Sequence, residues 1–61
     1  MNEEEQIQAG FADALKGLYK VLMTSYSTAD GNKQVEKKAD EAFKAGVALA
    51  RRTGDRALAL L

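Results

Sequence analysis

Cysteine and histidine are both absent from this chain of 61 residues. Their absence excludes disulfide bonds and removes the commonest zinc ligands. A chain of this length removes only about 60% of its unfolded surface from water, so a core of its own is marginal. Because small folds otherwise gain stability from disulfides, metals or oligomerisation, the sequence predicts assembly with a second copy or with a partner protein.

Proline is also absent, and the formal net charge is +0. The abundance of alanine, lysine, glutamate and leucine favours helix, and no alternating run of β-branched and aromatic residues predicts a strand. A balanced charge points neither to nucleic acid nor to an acidic substrate. No apolar segment approaches the ~20 residues of a membrane span. The amino end is acidic where a secretory signal is basic, so we expect a cytoplasmic protein.

Two helical segments flank one cluster of turn-forming residues. Apolar side chains at helical spacing, preceded by Asn2 as a cap, predict a helix over 3–26. The Ser, Thr, Asp, Gly and Asn residues of 27–32 predict a short turn, and the pattern returns over 33–53. A connection this short makes the two helices antiparallel neighbours. We therefore predict an all-α fold, an antiparallel helical hairpin forming a single domain over 1–61.

The carboxyl-terminal end of the second helix has two interpretations. Gly54 suits the position just past a helix end, and Asp55 can cap a short helix over 55–61; alternatively the second helix continues. We favour a break or a kink. The segment Leu49–Leu61 also resembles a helix–turn–helix junction of tetratricopeptide-type repeats, which implies a turn at Gly54. The rest of the chain lacks the tryptophan, the proline and the period of that repeat, so we do not assign the family.

An Ala/Gly-rich seam is expected between the helices. The first helix offers Ile7, Phe11, Ala14, Leu18 and Val21. The second helix offers a narrow stripe made of Val35, Ala39, Ala42, Gly46, Leu49 and Thr53. A turn centred near Asp30 places Ala14 opposite Gly46 and Leu18 opposite Ala42, so that large side chains mostly meet small ones.

Gly10 and Gly17 lie at the edge of the apolar face of the first helix, one heptad apart. A glycine inside a helix costs ~1 kcal/mol relative to alanine, so its repetition calls for a reason. We favour close packing of another backbone against these residues. The alternative is that both glycines are tolerated at a helix margin.

Catalysis and metal binding have little support in these residues. The hydroxyl side chains have no histidine or cysteine to activate or replace them, and carboxylate pairs such as Asp40 with Glu41 lack a cavity to shift their pKa values. The segment from Asp30 resembles a calcium loop in its oxygen spacing, but Val35 stands where that loop needs glycine and lysines surround it. We predict no enzyme activity, no cofactor and no metal site.

An apolar surface remains once the seam is assigned. It consists of Leu15, Tyr19, Leu22, Tyr26, Phe43, Val47 and Ala50. Soluble monomers rarely expose an apolar patch larger than a few hundred Å². The sequence therefore predicts a non-catalytic oligomerisation or adaptor module whose patch is covered by a second copy, as a four-helix bundle or larger helical complex, or by a helical partner protein.

A different class of function comes from a basic stripe on the second helix. The stripe consists of Lys33, Lys37, Lys44 and Arg51. A small dimeric bundle can present two such stripes to a phosphate backbone. Acidic residues interrupt the surface and no aromatic residues interleave for base stacking, so a solvated helix face is the favoured interpretation. Nucleic-acid binding stays the alternative.

Overall fold

The fold is a hairpin of two α-helices, given by a computed structural model that describes residues 2–61. Helix α1 spans Glu3–Ala29 and helix α2 spans Lys33–Ala59, each with 27 residues. The helices pack antiparallel along their length, and no strand occurs among the described residues. This confirms the predicted all-α hairpin. No helix within 2–61 combines the length and apolar character needed to cross a membrane.

Both helices begin at an asparagine cap. The Oδ1 atom of Asn2 accepts a hydrogen bond of 2.7 Å from the backbone N–H of Glu5. The Oδ1 atom of Asn32 accepts bonds of 3.0 and 3.3 Å from the backbone N–H groups of Gln34 and Val35. Each cap satisfies amides that the first helical turn leaves without a partner. The predicted start of the first helix is confirmed.

The turn is shorter than the predicted span of 27–32. Helix α1 continues to Ala29, and the chain reverses at Asp30 and Gly31, which have φ angles of 50° and 84°. The backbone N–H of Asp30 donates to the carbonyl of Tyr26 at 3.3 Å, which closes the helix end. The Ser and Thr residues of this region are compatible with a helix interior, and only the Asp-Gly-Asn end of the cluster breaks it.

Helix α2 passes through Gly54 without a break and ends at Ala59. Of the predicted break or kink, the break is therefore wrong, and the turn at Gly54 implied by the repeat resemblance does not occur. Gly54 is half-buried, as are Ala50 and Ala57 on either side of it. Packing of Ala50 and Ala57 at the seam, on either side of Gly54, keeps the helix continuous despite the ~1 kcal/mol that a helical glycine costs.

The seam consists of half-buried side chains, and none among residues 2–61 is fully buried. From α1 it takes mainly large residues, Ile7, Phe11, Leu18 and Leu22. From α2 it takes large and small residues in alternation, including Ala39, Phe43, Gly46, Val47, Ala50 and Ala57. The expected large-to-small packing is present, but it encloses no core.

The register of the seam differs from the predicted one by about one helical turn. Leu18 packs on Gly46, where a Cβ atom would lie 2.5 Å from Leu18 Cδ2. The sequence placed Ala14 opposite Gly46 and Leu18 opposite Ala42. The reversal itself lies at Asp30 and Gly31, where the sequence predicts it, so the position of the turn does not account for this difference.

Helix α2 is also rotated relative to its predicted stripe. Val35 and Leu49, expected in the seam, are 41% and 54% exposed. Phe43, Val47 and Ala50, expected on the outer patch, are half-buried. This rotation brings Phe43 and Val47 to the seam and turns Val35 and Leu49 outward.

Candidate protein-binding groove

An apolar groove of about 690 Å³ runs along one face of the hairpin. We call this side the groove face. Among residues 2–61, no charged residue lines the groove, and Thr53 is the only lining residue with a polar side chain. The residues that shape its open side are Gly10, Ala14, Gly17, Val21, Leu49 and Thr53. Such a lining suits an apolar helical surface better than a polar ligand.

The groove is hollow because α1 carries glycine where a side chain would fill it. A Cβ atom added at Gly10 or Gly17 would meet no atom within 4 Å. Neither glycine is therefore in close contact with α2, and the predicted close packing does not occur inside the hairpin. Gly46 behaves differently, because Leu18 occupies the space beside it.

Large apolar side chains flank the hollow. Val21 on α1 is 64% exposed and Leu49 on α2 is 54% exposed. The sequence prediction assigned both residues to the seam, so it missed this surface. The repeated small residues Gly10, Ala14 and Gly17 were the signal that marked it.

The predicted partner surface is divided between the seam and the opposite side of α1. Leu15, Tyr19 and Tyr26 are exposed at 38%, 59% and 39%. Leu22 is half-buried and lies with Phe43 around a small hollow at the seam. These residues consequently do not form one continuous outer patch, although the three exposed ones do lie at helical spacing on one side of α1.

Tyr26 makes the one side-chain hydrogen bond between the helices within residues 2–61. Its hydroxyl donates to the carboxylate of Asp40. This bond, together with partial desolvation and the negative charges of Asp40 and Glu36, raises the pKa of Tyr26 to about 12. The pair links the helices near the turn, on the side of the hairpin away from the groove.

The basic stripe is solvent-exposed and mostly without ion pairs. Lys33 contacts Glu36 at 3.5 Å, and this is the only salt bridge among the described side chains. Lys37, Lys44 and Arg51 are exposed. By helical spacing they lie on the side of α2 that also carries Asp40, so negative charge interrupts the stripe.

No cluster of metal-ligating side chains occurs within residues 2–61. The segment compared with a calcium loop is the turn and the first turns of α2, with Asn32 acting as a helix cap. The lack of a cofactor or metal remains a prediction from the composition.

No protein-family model, curated protein or solved structure matches this chain. The fold and the groove define its class as a small helical hairpin with one open apolar face. Any assignment of function therefore starts from this geometry.

Proposed function

We propose that this protein is a non-catalytic oligomerisation or adaptor module, which acts by association through an exposed apolar helical face. The observation that carries the proposal is the lack of any fully buried side chain in residues 2–61, while Val21 and Leu49 stand more than half exposed. Burying a side chain of this size is worth ~1.5–3 kcal/mol. A partner that covers the groove face supplies burial that the hairpin alone lacks.

The proposed partner is a second copy of the chain, in a four-helix bundle or larger complex, or a helical protein. We place the protein in the cytoplasm and assign it no reaction. The hydroxyl and carboxyl groups of the chain have no histidine or cysteine beside them, since the sequence contains neither. With catalysis set aside, the exposed apolar side chains support association with another helical surface.

The test is the mass of the purified chain in solution, followed by affinity capture from its native lysate. We expect either a multiple of 6.6 kDa or a stoichiometric helical partner. Folding and association are then one event, so helicity falls on dilution. A chain that stays monomeric and fully helical on dilution, and that captures no partner, would overturn the proposal.

A second candidate function is nucleic-acid binding through the basic stripe. The observation that favours it is the exposure of Lys37, Lys44 and Arg51 without ion pairs within residues 2–61. Titration of a labelled duplex at several salt concentrations separates the two functions. Binding to phosphates weakens steeply as salt rises, whereas apolar association does not. No binding of the duplex at low salt would remove this candidate.

A further inference from the structure

We infer that the occupant of the groove is a second copy of this chain, stacked face to face so that each copy covers the groove of the other. This inference rests on the proposed association function and adds the identity of the partner and the surface it uses. The surface differs from the side of α1 that carries Tyr19 and Tyr26.

The area of the hairpin supports one partner of its own size. Its accessible surface is 4952 Å², whereas a compact monomer of its mass has about 3,900 Å². The excess is on the order of 1,000 Å², close to the ~800 Å² per partner of a standard protein interface. If one partner covers one face, the accessible surface that each copy still exposes is close to that of a compact monomer of the same mass.

The shape of the hairpin leads to the same stoichiometry. The Cα atoms extend over 44 × 18 × 7 Å, a single layer of helices. Packed helices lie about 8–10 Å apart, so a second layer of equal length and width produces a four-helix bundle. A layer stacked in this way encloses the groove-face residues between four helices.

The groove carries both parts of a self-complementary contact. A two-fold interface uses the same patch on both copies. Each copy has empty space beside Gly10 and Gly17 and exposed apolar side chains at Val21 and Leu49. Large side chains of one copy can thus enter the small-residue hollows of the other, as in well-packed bundle cores.

The distribution of charge also favours the groove face as the interface. The groove face is lined by uncharged residues, so stacking it removes no ionic group from water. The other side carries the Tyr26–Asp40 pair and, by helical spacing, the basic stripe. Self-association through that side brings charged groups, the basic stripe and Asp40, into the interface.

The first experiment compares Val21→Glu with Met23→Glu by sedimentation equilibrium. Both side chains lie on α1 with similar exposure, 64% and 57%, and only Val21 lines the groove. In a lone hairpin the two changes have similar effects. In the stacked dimer, two charges enter the interface, so Val21→Glu weakens dimerisation by at least about 100-fold. Met23→Glu leaves the wild-type constant within about 3-fold.

The second experiment does not depend on whether a variant remains folded. The chain has no native cysteine, so Thr53→Cys and Ala45→Cys each introduce a single thiol. Both positions are exposed on α2, but only Thr53 lines the groove. We expect the alkylation rate of Thr53→Cys to fall as chain concentration rises, and that of Ala45→Cys to stay unchanged.

The outcomes separate this inference from the proposed function. A wild-type mass of 6.6 kDa at high concentration overturns self-association, and capture of a helical partner by that monomer leaves the proposed function intact. A dimer that survives Val21→Glu but dissociates with Tyr19→Glu overturns the use of the groove alone. Equal alkylation rates of Thr53→Cys and Ala45→Cys at all concentrations likewise overturn it.

Discussion

Replacing Gly46 by alanine perturbs the contact that sets the register of the hairpin. The added carbon would lie 2.5 Å from Leu18 Cδ2 and 3.2 Å from Cδ1. Ordinary carbon–carbon contacts are about 3.5–4.0 Å, so the end of Leu18 must move by about 1 Å. Overpacking of this kind costs ~1–3 kcal/mol, against a gain of ~1 kcal/mol in helix propensity.

For Gly46→Ala, the open groove beside Leu18 determines whether the overpacking cost or the gain in helix propensity dominates. Leu18 lines the open groove as well as the seam, so it has space to turn away, and the cost stays near the lower limit. We therefore expect Gly46→Ala to leave the thermal midpoint nearly unchanged. Gly46→Leu has no such escape, because its longer side chain competes for the space of Leu18, and it should lower the midpoint by more than Val47→Leu does.

A double-mutant cycle isolates the contact. In a Leu18→Ala background the obstacle is gone, so Gly46→Ala should express its full helix-propensity gain of ~1 kcal/mol. For a domain of this size that gain raises the midpoint by about 4–8 °C. Thermal unfolding is followed by circular dichroism at one fixed chain concentration, since assembly shifts the midpoint. Equal effects of Gly46→Ala in both backgrounds, or equal midpoints for Gly46→Leu and Val47→Leu, would refute this packing.

The remaining predictions concern the helix ends and the tyrosine. Gly54→Ala should raise the midpoint by about 4–8 °C, because a Cβ there meets nothing within 4 Å; a fall would indicate a helix end. Asn32→Ala should cost ~0.5–2 kcal/mol in urea unfolding, since two cap bonds are lost. In a Tyr19→Phe background, absorbance should place the pKa of Tyr26 at about 12, and Asp40→Asn should lower it. Because the pKa of Tyr26 is raised, the stability that its bond to Asp40 provides is present at pH values below the ordinary tyrosine pKa. This stability is lost as the pH rises through about 12. A wild-type thermal midpoint that falls no faster at high pH than that of Tyr26→Phe would contradict this.

The hairpin itself was predictable because its signals are local. Asn2 and the acidic residues after it specify the start of α1, and Asp30 with Gly31 supplies the reversal. The end of α2 was not predictable in this way, because Gly54 is compatible with both a helix end and a helix interior. Packing of Ala50 and Ala57 at the seam favours the interior, and those contacts lie outside the local sequence.

The prediction of which face of α2 meets α1 was the larger error, and its cause is the alanine-rich composition of α2. Small residues occur around much of α2, so a stripe through Ala42 and a stripe through Phe43 both satisfy helical spacing. Each stripe also offers large side chains, Val35 and Leu49 in the first and Phe43 and Val47 in the second. Sequence spacing alone does not distinguish them, so the groove face of α2 was mistaken for the seam.

The two glycines of α1 are open, whereas Gly46 on α2 is filled. Leu18 fills the space at Gly46, whereas Gly10 and Gly17 face no atom within 4 Å. Each helical glycine costs ~1 kcal/mol, so the open pair weakens α1 by about 2 kcal/mol with no compensating contact inside the hairpin. Alanine at both positions should therefore stabilise the isolated hairpin. If a second copy enters the hollows, the same change should weaken dimerisation, and helicity measured at low and high chain concentration would shift in opposite directions.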